Sequence, residues 1–476
     1  MSLSHDEDLF GLLEEMGEDY TKLLPKPTRH PSSSTSSSSS FTTTTNASIS
    51  SLWNPTVVFN PQTQSQSQSQ SQSQFFNKPS HPFSETLRHR AYESLKTSFR
   101  EIATNSTTKK FGKSSFESWW FLRKLIEDQN IDRNKLDPVL PSPISPSNNK
   151  LNENDDLLAM EVLGKSSKKF VKAISEAIRT HHASFEASRS SSKQAMPKKP
   201  PKISHSKDGD VTTVRYMGKE MKLNRAYYEK LLALFERRNG NKDNFSNSLY
   251  SLLLRYDTLE GAGYQAAITP MVYDVLLSEF GAKMEMFASP LNCRYGVFCS
   301  AFEDTDGVFG SRGSVWDFDP SVEGGSFEAN PPFVDGVITK MAERFEMLLE
   351  KAERRGVGLS FCIIVPKWEG REGWKKLRGG RYLRGEVEVK QKDHYYCEGS
   401  RYRRGGEFRI ASFDTSVFFW QNEGGEGNEK WALTKEKEKR LRRAFGARGE
   451  EEKEEKEEEK EKKSQGKKRR RKEASS

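Results

Sequence analysis

Between residues 264 and 435, short apolar runs alternate with amphipathic stretches. Residues 271–280 read as a helix, 282–288 as a strand and 295–302 as helix-like. Residues 315–318 and 326–329 read as strands, 334–354 as a long helix, and 359–365 as a strand ending at Pro366. Further strands fall at 387–389, 408–412 and 417–420. Strands alternating with helices predict an α/β fold on a mostly parallel sheet with helices on both faces. In such folds ligands sit at the carboxyl ends of strands. Three loops fall there: Ser289-Pro290-Leu291-Asn292, Asn330-Pro331-Pro332-Phe333 and Pro366-Lys367-Trp368-Glu369.

Upstream, the period is helical. Residues 86–102 predict a basic helix, and 115–130 an amphipathic one whose Trp119 and Trp120 are expected in the core. Residues 155–187 resume the period. A hairpin over 211–223 turns at Gly218, and Asn224 caps a helix over 225–238. A further helix spans 245–259. Pro/Ser-rich linkers are expected at 138–149 and 188–210. The expected organisation is therefore a Ser/Gln-rich disordered region (1–80), a helical domain with linkers (81–263), the α/β core (264–435) and a charged disordered tail (436–476).

Composition changes this picture little. Charged residues make up 30% of the 476 and hydrophobic ones 34%, as expected of a folded middle with solvated ends. Lys and Arg exceed Asp and Glu by 76 − 67 = 9, which favours polyanionic partners. Cys293, Cys299, Cys362 and Cys397 show no metal-type spacing, so no metal site is expected and reduced intracellular thiols are. No apolar run reaches membrane-spanning length, so no membrane partner is expected. Trp53 has no second tryptophan at WW-domain spacing. The terminal Lys467-Lys468-Arg469-Arg470-Arg471-Lys472 cluster reads as a nuclear localisation signal.

The chemistry centres on Asn330. An amide, two prolines and an aromatic ring can hold an exocyclic amine such as N6 of adenine before a methyl donor. That nitrogen's lone pair is delocalised into its ring, and two acceptors on its N–H bonds draw it out. The Asn330 side-chain oxygen and the Pro331 carbonyl are the candidates. Prolines fix φ and remove a ladder donor, and Phe333 offers a stacking face. The same tetrapeptide is also an ordinary strand-to-helix turn, and the residues alone leave both readings open. For the donor, the 289–292 loop suits the amino-acid part, and Asp304 or Asp306 suits the ribose hydroxyls. Asp304-Thr305-Asp306-Gly307 reads equally as an Asx-type turn.

Taken together, Phe287-Ala288-Ser289-Pro290-Leu291-Asn292-Cys293, Cys299-Ser300-Ala301-Phe302, Asp304-Thr305-Asp306-Gly307, Phe309-Gly310-Ser311-Arg312-Gly313 and Gly325-Ser326-Phe327-Glu328-Ala329-Asn330-Pro331-Pro332-Phe333 closely resemble the phosphorylated-CTD-interacting factor family of cap-specific adenosine N6-methyltransferases. The resemblance is strongest over residues 250–370. It implies a Rossmann-like class I methyltransferase core behind a helical domain. It implies S-adenosyl-L-methionine as donor, capped mRNA as partner, and a 2′-O-methyladenosine beside the cap as acceptor. Asn330, Pro331, Pro332 and Phe333 match the family's catalytic motif, and Asn330 also faces the donor. Pro366, Lys367, Trp368 and Glu369 are placed beside the target base or cap, and Arg88, Arg100 and Arg123 in the region of its cap-binding arginines. Animal members begin with a WW domain that reads the RNA polymerase II C-terminal domain. This chain carries a Ser-Gln tract there, so no WW domain is visible for that partner.

Two other functions fit the same motif: methylation of adenine in other RNA or in DNA, and a catalytically silent nuclear RNA-binding adaptor.

Overall fold

The computed structural model describes residues 80–106, 115–131, 136–143, 167–191, 199–239, 241–259, 266–399, 401–404, 408–423 and 428–446. The expectations for residues 1–79, for the first part of the 155–187 helix, for the second half of the 138–149 linker and for the 467–472 cluster lie outside them.

A five-stranded sheet carries the core. Its strands are β5 (Ala282–Glu285), β6 (Gly325–Ala329), β7 (Leu359–Pro366), β8 (Leu383–Val389) and β11 (Thr415–Gln421), in the order β5-β6-β7-β11-β8. The first three are parallel, whereas β11 inserts antiparallel to both neighbours. The sheet is therefore mixed rather than mostly parallel. Beyond β5 the ladder continues through single bridges, Glu285 to Phe298 and Phe298 to Ser311, both parallel. Residues 295–302, expected as helix-like, are instead extended: Cys299 N–H donates to Glu285 O and Arg312 N–H to Phe298 O. Edge pairing satisfies their backbone where a helix would not. Residues 315–318, expected as a strand, form a turn.

Helices cover both faces, as the alternation of elements implied. The long helix Asp335–Glu353 buries Ile338, Met341, Ala342, Phe345, Leu348, Leu349 and Ala352, a stripe at helical spacing. Phe345 stacks on Phe361 of β7 with centroids 3.9 Å apart. On the opposite face, the helix Pro270–Phe280 packs with a second helix, Lys435–Gly446, whose Leu441, Ala444 and Phe445 are buried. The charged tail expected from residue 436 thus contributes a structural helix first. Its apolar residues lie at i, i+3 and i+4 among lysines and arginines, which masks them in composition.

The upstream region holds the helices Pro82–Ser106, Ser115–Asn130, Lys168–Ser191, Arg225–Asn239 and Phe245–Thr258. Trp119 and Trp120 are buried as expected, and the Trp120 indole donates to Val139 O at 2.7 Å. Asn224 caps its helix, its Oδ1 accepting from Tyr227 N–H at 2.9 Å. The hairpin β2 (Val211–Tyr216) and β3 (Lys219–Asn224) turns through Met217 and Gly218, both at positive φ. The 188–210 linker is shorter than expected: the helix runs to Ser191, and β1 (Lys202–His205) adds to the hairpin edge, Ile203 opposite Val214. A separate small sheet joins β4 (Ala267–Ile268), β9 (Tyr395–Cys397) and β10 (Phe408–Ile410).

Candidate active site

Because β5, β6 and β7 are parallel, the loops after them leave the same edge of the sheet. Two of those loops wall a cavity of about 890 Å³ between the core and the upstream helices. Its core side includes Met286, Phe287, Ala288, Ser289, Asn292, Ala301, Asp304, Trp316, Asn330 and Pro332. Its far side includes His81, Arg88, Tyr92, Trp120 and Lys124.

Asn330 follows directly on β6, where the ladder ends and proline prevents its continuation. The residue is 8% exposed. Its Nδ2 donates to Ala266 O at 3.1 Å, which fixes the orientation of the amide. Its Oδ1 is buried without a hydrogen-bond partner. A buried acceptor in that state costs about 1–3 kcal/mol unless something donates to it. Pro331 is buried and Pro332 lies on the cavity wall. Phe333 turns away, packing edge-on against Tyr396 at 5.9 Å and Phe413 at 5.4 Å. It does not line the cavity, so its expected stacking face is already occupied by those rings.

The 289–292 loop is closed on itself. Asn292 Oδ1 accepts from Ser289 N–H at 2.7 Å and from Ser289 Oγ at 2.9 Å. Pro290 and Leu291 are buried behind Ser289 and Asn292, which reach the wall. From the upstream helix Arg225–Asn239, Lys230 points its ammonium at the loop's back, donating to Leu291 O at 3.2 Å and Cys293 O at 2.8 Å.

The two acids of the 304–306 turn separate in role. Asp304 lines the cavity with its side chain 16% exposed. Asp306 lies behind the wall, accepting from Tyr256 Oη at 2.6 Å and Thr305 Oγ1 at 2.9 Å. Burial pushes the Asp306 carboxyl up to about 7, against the pull of these hydrogen bonds. A second buried acid pair sits beneath the site, with Glu285 and Glu328 opposite each other on β5 and β6. Burial pushes Glu285 up to about 7, although the N–H groups of Tyr295 and Arg294 bind its Oε1. Glu328 is raised well above the usual range by burial and by Glu285, and neither of its oxygens has a partner.

The remaining sequence candidates divide. Arg88 lines the cavity and pairs with Asp137 at 2.8 Å. Arg123 is buried in an ion pair with Glu127 at 2.9 Å, and Arg100 faces solvent; neither lines the cavity. Pro366, Lys367, Trp368 and Glu369 also lie outside the wall. Lys367 pairs with Glu388 at 2.7 Å, and the Trp368 ring meets Phe413 at 6.1 Å. Phe413 thus joins Trp368 to Phe333. Sequence reasoning missed Phe413, Arg255, Tyr256 and Lys230. The last three read as ordinary helix positions, and only burial of the Arg255 and Lys230 cations and of the Tyr256 hydroxyl, a product of tertiary packing, marks them.

Fold and site together define an α/β protein with a cavity at the carboxyl edge of its parallel strands. Residues 225–399 match the family model described as "Phosphorylated CTD interacting factor 1 WW domain". Proteins named "mRNA (2'-O-methyladenosine-N(6)-)-methyltransferase" from Mus musculus and Homo sapiens are each 34% identical over 262 residues. Each match covers 52% of this chain, which spans 36% of the relative's length. Over this segment the chain is similar to the phosphorylated-CTD-interacting factor family. The description corrects the expectation that no WW domain would be recognised. The match bearing that name falls on helices and the mixed sheet, not near Trp53.

Proposed function

We propose that the protein is an S-adenosyl-L-methionine-dependent methyltransferase acting on N6 of the 2′-O-methyladenosine beside the mRNA cap. The observation that carries this is the unpartnered, buried Oδ1 of Asn330, in an Asn-Pro-Pro-Phe turn at the cavity. The relatives' printed names give the reaction and substrate. The strand order, with an antiparallel strand inserted next to the last position, supports a Rossmann-like class I core behind a helical domain.

The residues fit the donor. Ser289 and Asn292 would hold its amino-acid part, Asp304 its ribose hydroxyls, and Met286, Phe287 and Ala288 offer apolar surface to its base. When bound, the donor supplies an electrophilic sulfonium methyl. Asn330 Oδ1 accepts one N–H of the target amine and the Pro331 carbonyl the other, so the nitrogen lone pair is available for attack. The contribution of this chain is alignment and a fixed acceptor. The amine sheds its proton after transfer, so no strong base is required. Arg88, held on the opposite wall by Glu85 and Asp137, would turn its remaining N–H donors to a capped 5′ end. Capped mRNA is the partner in this proposal, and the RNA polymerase II C-terminal domain a further one. The 467–472 cluster directs the protein to the nucleus.

The test is mass spectrometry of cap nucleotides after incubating the protein with donor and capped RNA beginning with 2′-O-methyladenosine. N6,2′-O-dimethyladenosine is expected. Equal transfer to uncapped RNA would remove the cap specificity, and no transfer to any adenine would leave the silent-adaptor reading.

A further inference from the structure

The helix Phe245–Thr258 buries eleven of its fourteen residues, yet it carries an arginine at 0% exposure. A guanidinium in that setting is costly unless all its donors are matched. Here four of its five N–H donors are matched to two acids from different parts of the chain. Arg255 Nη1 and Nη2 donate to Asp304 Oδ1 at 3.0 Å and Oδ2 at 2.7 Å. Nε and Nη2 donate to Glu85 at 2.8 Å and 2.6 Å. Its carbon rests 4.8 Å from the centroid of Phe302. The next residue, Tyr256, holds Asp306 as described above. Consecutive side chains of one upstream helix therefore grip both acids of the 304–306 turn.

The fork fixes the plane of the Asp304 carboxylate and takes one lone-pair site on each oxygen. Asp304 itself lines the cavity with its side chain 16% exposed, so the carboxylate reaches that space. Two acceptors held at carboxylate spacing match the vicinal hydroxyls of a ribose. From this arrangement, and resting on the methyl-donor reading above, we infer that Arg255 is a positioning residue: it orients Asp304 on the cavity wall to receive the ribose diol of a bound nucleoside. The upstream helical region is then part of the nucleoside site, and does more than wall the cavity opposite the core.

The test is calorimetry of the full chain with S-adenosylhomocysteine, alongside donor kinetics. Arg255→Lys keeps the charge but loses the two-pronged geometry. It should weaken nucleoside binding about tenfold or more, the scale set by removing a partner that orients a ligating group. The KM for donor should rise by a similar factor, with kcat falling by less. Affinity within twofold of the unaltered protein, or a fall confined to kcat, overturns the inference and leaves the methyltransferase reading standing. Should Arg255→Lys fail to fold, Asp304→Asn decides, because it keeps the shape and removes the charged acceptor. Unchanged affinity there overturns the inference equally. If the unaltered protein binds no S-adenosylhomocysteine, the donor reading falls and this inference with it.

Discussion

Asn330 donates its amide nitrogen to the carbonyl of Ala266 at 3.1 Å, and that bond leaves its buried oxygen as a free acceptor. Residue 266 lies just before β4, far from Asn330 in sequence, so the orientation of the amide is a tertiary product. A flipped amide would bring two oxygens together and present a donor to the cavity. The contact therefore decides which group a ligand meets.

Replacing Asn330 with Ala removes the acceptor while leaving the turn's prolines in place. Turnover should fall by at least about 100-fold, the scale of losing one fixed polar group that acts on the transition state. Circular dichroism and binding of S-adenosylhomocysteine should change little. Turnover within a few-fold of the unaltered protein would refute the role given to this side chain.

The Glu285 and Glu328 pair predicts a dependence of stability on pH. Both carboxyls are raised in the folded state, so the folded protein holds protons that the unfolded chain releases above the ordinary carboxylate range. Their contribution is fully present at acid pH. It is lost as pH rises through about 7 for Glu285 and higher for Glu328. In Glu328→Gln, thermal melts between pH 5 and pH 8 should show a flatter decline. The difference should approach one proton's worth, about 1.4 kcal/mol per pH unit. Parallel profiles for the two proteins would show that Glu328 does not retain its proton on folding.

Lys230, 1% exposed, is the pin behind the 289–292 loop. Lys230→Met preserves the length of the side chain and leaves the carbonyls of Leu291 and Cys293 unmatched. A loss of about 1–3 kcal/mol in denaturant unfolding is expected, with looser binding of S-adenosylhomocysteine at the same loop. Stability equal to that of the unaltered protein would mean that water or another donor replaces the ammonium.

Much of the fold was legible because apolar period reports directly on burial. The helix Asp335–Glu353, the strand Leu359–Pro366 and the Asn224 cap fell where patterning placed them. The misses share a cause. Residues 295–302 carry a helical apolar spacing, but their backbone groups find partners on the edge of β5. The helix Lys435–Gly446 hides three core residues among eight charged ones, which gives the composition of a tail. Short strands such as β4 and β9 carry too few residues to establish a period.

The sequence alone determined which groups the turn has to offer. Asn330-Pro331-Pro332 combines an amide with a backbone that cannot continue a ladder, and those are covalent properties of the residues. It also determined that the 289–292 and 330–333 loops follow strands. Only the tertiary structure decided which groups those loops present. Ala266 sets the face of the Asn330 amide, Tyr396 and Phe413 take the ring of Phe333, and Arg255 and Tyr256 assign the wall to Asp304 and the interior to Asp306. Hydrogen-bond partners distant in sequence make those choices, because a polar group that leaves water must find its match wherever the fold brings one.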